Sequence, residues 1–105
     1  MDTSLGPLER YRSRGVAFHE LILLPATVAL EFVTECEQNE IRLLGVDAFE
    51  PTGGATLQSC PDAGLDVSTK EYWDYSVAEL CDVVRDHIQS VSPHVLFEFL
   101  LPSLS

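Results

Sequence analysis

The chain has 105 residues, 46% of them hydrophobic, and its 17 Asp and Glu outnumber 6 Lys and Arg for a net charge of −11. The length sets a single domain, and the apolar share supplies a core and excludes a disordered acidic tail. The charge argues against nucleic acid and anionic lipid as direct partners; on its own it fits a basic protein partner and acidity that only confers solubility equally well.

The charge is uneven. Arg10, Arg12 and Arg14 crowd the first fourteen positions, whereas fifteen acids from Glu20 onward face only Arg42, Lys70 and Arg85. Cys36, Cys60 and Cys81 are odd in number and lack C-x-x-C spacing, as expected of reduced thiols in a cytoplasmic protein. No apolar h-region comes directly after the early arginines, so no signal peptide is expected. The longest uncharged apolar run, Leu21 to Leu30, is too short to span a bilayer and holds Pro25.

Residues 1–15 read as a lead-in, with Leu8 and Tyr11 on one side and Gly15 as its stop. Residues 16–101 read as the core of the domain. Val16 to Leu24 is expected as one buried strand closed by Pro25. A helix follows to about Gln38, with Ala29, Phe32, Val33 and Cys36 as its buried stripe and Asn39 as a left-handed terminator. Ile41 to Glu50 is a second strand, Pro51-Thr52-Gly53-Gly54 a turn, and Ala55 to Cys60 a hairpin return. After an irregular stretch from Pro61 to Asp74, Ser76 and Glu79 form an S-x-x-E capping box. Val77, Leu80, Cys81, Val84, Ile88 and Val91 continue it as a helical stripe. Ser92-Pro93 ends that helix, and His94 to Leu101 is the last strand. The fold class is therefore α/β, β-α-β-(β)-α-β, with two main helices on a mixed sheet of three to four strands. The first βαβ unit is expected to be parallel.

Catalytic and metal motifs are missing from this pattern. His19, His87 and His94 share no ligand spacing with the cysteines, so neither a metal nor a cofactor is expected. There is no nucleophile elbow, phosphate-binding glycine loop or H-E-x-x-H. Ser59, His87 and Asp47 can be drawn as a triad only in the way that most sequences allow. Asp47 and Glu50 lie near the end of the second strand, where α/β sheets bind ligands, but their spacing points them to opposite faces. An enzyme is not expected.

The acidic surface is the stronger candidate. Glu79, Asp82 and Asp86 fall on one face of the second helix, and Glu71, Tyr72, Trp73, Asp74 and Tyr75 precede it. Aromatics among acids make a binding patch, the rings anchoring and the charges orienting. The competing reading makes Trp73 a core residue over the sheet edge and the acidic stripe a solvated helix face.

The layout resembles the α/β immunity proteins of bacterial polymorphic toxin systems, especially the group catalogued as immunity protein forty. The matching pieces are Ala29-Leu30, then Leu43-Leu44-Gly45-Val46-Asp47, Trp73, Ser76, Ala78 and Phe97-Glu98-Phe99, with Val46 where the family has a second glycine. The resemblance covers roughly residues 26–101. It implies a cytoplasmic antitoxin that binds and neutralises a cognate toxin domain. A nuclease toxin, whose cleft must hold phosphates, would suit an acidic decoy. The other readings are an acidic DNA-mimic regulator that occupies a nucleic-acid-binding protein, and a small enzyme or enzyme subunit without a recognisable site.

Overall fold

The computed structural model describes residues 11, 13–18, 21–52, 56–91 and 94–102. The expected first strand is two strands. β1 (Val16–Phe18) and β2 (Leu21–Pro25) pair antiparallel, Val16 opposite Leu23 and Phe18 opposite Leu21. The polar pair His19-Glu20 divides the apolar run, and both of those residues lie outside the described ones. Gly15 sits where a Cβ would come within 2.3 Å of the Leu23 carbonyl oxygen, so the chain can pass this close to β2 only without a side chain.

Helix α1 (Ala26–Gln38) starts directly after Pro25 and buries Ala29, Phe32, Val33 and Cys36, the stripe its spacing predicts. Its end differs from expectation by one residue. Asn39 keeps a φ of −102°, and Glu40 adopts the left-handed conformation with φ of 54°. The Ile41 amide then bonds the Cys36 carbonyl at 2.8 Å and the Glu40 amide bonds that of Glu37 at 3.2 Å, a Schellman closure with glutamate in the usual glycine position. Glu40→Gly is therefore expected to stabilise the domain by about 1 kcal/mol, because glycine carries no left-handed penalty; a urea melt measures it.

The second strand begins later than its hydrophobic run suggests. β3 (Gly45–Pro51) pairs antiparallel with β4 (Leu57–Ser59), the expected hairpin return, while Gly53-Gly54 and Ala55 lie outside the described residues. The stretch after Cys60 contains a 3-10 turn at Pro61–Ala63 and the short β5 (Leu65–Asp66), which pairs with β3 on the same edge as β4. Gly45 has a φ of 156°, and a Cβ there would meet the Leu65 carbonyl oxygen of β5 at 2.4 Å. Helix α2 (Val77–Ser90) and β6 (Leu96–Leu100) follow. The stop expected at Ser92-Pro93 lies outside the described residues.

Strand order is β1-β2-β6-β3-β4, with β5 off this path and paired to β3, and every pairing is antiparallel. Two α-helices on a sheet agree with the expected α/β class. The sheet is larger than three to four strands and is not mixed. β2 and β3 do run parallel, as the βαβ reading requires, but β6 is inserted between them and hydrogen-bonds to both. Ile22 and Leu24, Phe97 and Phe99, and Val46 and Ala48 form one side of the core, with Leu80, Cys81, Val84 and Ile88 of α2 completing it with α1. Phe32 is fully buried at its centre, 4.7 Å from the Phe99 ring and edge-on to Tyr11 at 5.2 Å. Tyr11 is thus a core residue, and its hydroxyl donates to Glu35 at 2.9 Å. Cys36 and Cys81 are buried free thiols in the helix stripes; burial, and secondarily Cys81, pushes the Cys36 thiol up to about 12.

Candidate functional site

The surface built by α2 and the loop before it starts from the capping box. The Glu79 amide donates to the Ser76 hydroxyl at 3.1 Å, and the Ser76 amide donates to the Glu79 carboxylate at 2.8 Å. Two donors that the helix start leaves without partners are thereby satisfied. The acidic stripe on the opposite face is exposed, as expected, but two of its acids already have internal work. Glu79 is held in the cap. Asp82 accepts from Arg85 at 2.6 Å, while the other end of that guanidinium reaches Glu37 of α1 at 2.9 Å. Arg85 therefore pins the two helices together and offsets part of the stripe. Asp86 stays exposed.

The loop from Ser68 to Tyr75 keeps its tryptophan out of the core. Trp73 is 66% exposed and Tyr75 is 37% exposed. Tyr72 alone of the three rings packs against the core, and it meets Tyr75 edge-on at 5.2 Å. Glu71 and Asp74, on either side of Trp73 in sequence, are both exposed. The loop is nevertheless well anchored. Asp66 accepts from the Ser68 amide at 2.9 Å and from its hydroxyl, bonds that hold the Asp66 carboxyl below its ordinary range. The Ser68 carbonyl in turn accepts the Trp73 indole N–H at 3.2 Å. From the other side, Arg42 donates to the carbonyls of Tyr75 at 2.7 Å, Tyr72 at 2.9 Å and Trp73 at 3.5 Å. Sequence reasoning misses Arg42, Asp66 and Ser68. Only the local Asp-x-Ser spacing offered a signal, since Arg42 lies about thirty residues from the loop it holds.

Asp47 and Glu50 are separate from this surface. Both are exposed on β3 and face opposite sides of the sheet. Asp47 stands on the face without helices, directly across from Glu98 of β6. Glu50 lies opposite Gln58 of β4. Asp47 also lines a shallow open depression with Ser59, Gly64, Leu65 and Leu100. Burial, and secondarily the Asp47 charge, raises the Glu98 carboxyl above its ordinary range. Such a raised carboxyl costs stability once it ionises, so the cost is absent in acid and grows as pH rises through the folded-state value. Glu98→Gln is expected to raise stability near pH 7 by up to about 1 kcal/mol, the scale of cross-strand charge pairs. Denaturation at neutral and acidic pH checks this, with the advantage disappearing at low pH.

No group of three or more His, Cys, Asp or Glu among the described residues is placed to hold a metal ion. The His87 ring nitrogen Nε2 is bonded to the Ala63 carbonyl at 2.6 Å, and His19 lies outside the described residues. No described helix is long and apolar enough to cross a membrane. Compared with protein-family models, with curated proteins and with solved structures, the chain matches none.

Proposed function

We propose that this chain is a non-catalytic immunity protein, a cytoplasmic antitoxin that binds and neutralises a basic toxin domain. The observation that carries the reading is Trp73, an exposed indole held at its polar end and flanked by Glu71 and Asp74 in a chain of net charge −11. Burying a tryptophan is worth more at an interface than burying most other side chains, and surrounding acids steer a basic partner and fix its orientation. The resemblance of the sequence layout to polymorphic-toxin immunity proteins supports the same conclusion.

The reading requires a toxin domain encoded in a neighbouring gene, and co-expression with that domain tests it. Cells carrying both are expected to grow, and the purified pair to form a stable complex. The association rate should fall steeply as salt rises from 0.1 to 1 M, because the screening length shrinks from ~10 Å to ~3 Å. Toxicity undiminished by the chain would remove the immunity reading.

A further inference from the structure

We propose that Arg42 is a positioning residue for this surface, presenting Trp73 as a preformed anchor for an apolar slot with a basic rim on the partner. The inference rests on the reading of the Trp73 loop as the binding surface, and names the device that readies it.

Arg42 is one of six basic residues in a chain with 17 acids, yet its described hydrogen bonds all go to backbone carbonyls, those of Tyr72, Trp73 and Tyr75. Carboxylates are the stronger partners for a guanidinium, so its engagement with three carbonyls of one loop is a matter of placement. Helix stability does not account for it. Tyr75 immediately precedes the Ser76 cap, and a cation at a helix N-terminus opposes the helix dipole. What the contact does achieve is to fix the loop's backbone. A planar group with five fanned N–H donors can hold several oxygens at once, whereas an ammonium offers a single point of charge.

The side chain is held independently. Asp66 orders Ser68, and the Ser68 carbonyl takes the indole N–H. Backbone and indole are therefore both constrained while most of the ring surface stays open to solvent. An anchor ordered before binding loses little entropy on docking. The partner's chemistry follows from the exposed ring and the exposed acids near it in sequence: an apolar slot for the indole face, and Lys or Arg at its rim to meet Glu71 and Asp74.

Trp73 is the chain's single tryptophan, so its fluorescence reports on this loop alone. Time-resolved anisotropy of the wild type should decay almost wholly with overall tumbling. Arg42→Ala should at least double the amplitude of the fast local component while far-UV circular dichroism stays native. Arg42→Lys should behave like Arg42→Ala, and Lys70→Ala, an equal loss of charge in the same loop, should behave like wild type. If Arg42→Ala fails to fold, Arg42→Lys carries the test. Collisional quenching supplies the second arm: with each ion normalised to its quenching of free N-acetyltryptophanamide, caesium should quench Trp73 more strongly than iodide, and Glu71→Gln with Asp74→Asn should reduce that preference. A folded Arg42 variant with wild-type anisotropy overturns the positioning role, and equal normalised quenching by the two ions overturns the basic-rim partner. Neither measurement involves a toxin, so a failed protection assay would leave these results standing.

Discussion

Trp73→Ala should weaken binding of the partner by about 2 kcal/mol or more, roughly 30-fold, and hardly move the melting temperature. The two halves of this expectation have different origins. Affinity falls because a large amphipathic ring, already ordered by Ser68 and Arg42, is replaced by a methyl group. Stability is spared because the ring is 66% exposed and contributes little to the core. Titration calorimetry and a thermal melt on the same preparation separate them. A tryptophan that covered the sheet edge would lower both together.

Phe32→Ala should show the opposite pattern. Phe32 is fully buried among Tyr11, Phe99 and the helix stripes, so its removal leaves a cavity that the packed rings cannot fill. A loss of about 3–5 kcal/mol is expected, a large share of the ~5–15 kcal/mol that holds a domain of this kind together. Urea denaturation measures it. Under conditions where the variant remains folded, its partner affinity should stay near wild type, because the proposed site lies on the surface of α2 and its preceding loop.

These contrasts show which features the sequence carries on its own. Local features were legible. The S-x-x-E spacing at Ser76 gave both the start of α2 and its cap geometry, and the i, i+3, i+4, i+7 pattern gave the buried face of α1. Where two local signals competed, spacing alone did not rank them: Glu79 counted both as a capping residue and as a surface acid, and its carboxylate serves the cap. Non-local features were not legible. The insertion of β6 between β2 and β3 depends on which apolar edges meet after the chain has turned twice, and no single segment encodes it. The Asp47–Glu98 pair exists only because of that insertion. The same applies to Arg42, which reads as an isolated base until the loop folds back over it.

Hydrogen exchange of the free chain and of its complex with the proposed toxin partner tests the central claim most directly. The account predicts new protection at the amides of residues 69–75, with the strands of the helix-free face unchanged. Protection confined to that sheet face around Asp47 and Ser59, with residues 69–75 exchanging as in the free chain, would contradict it.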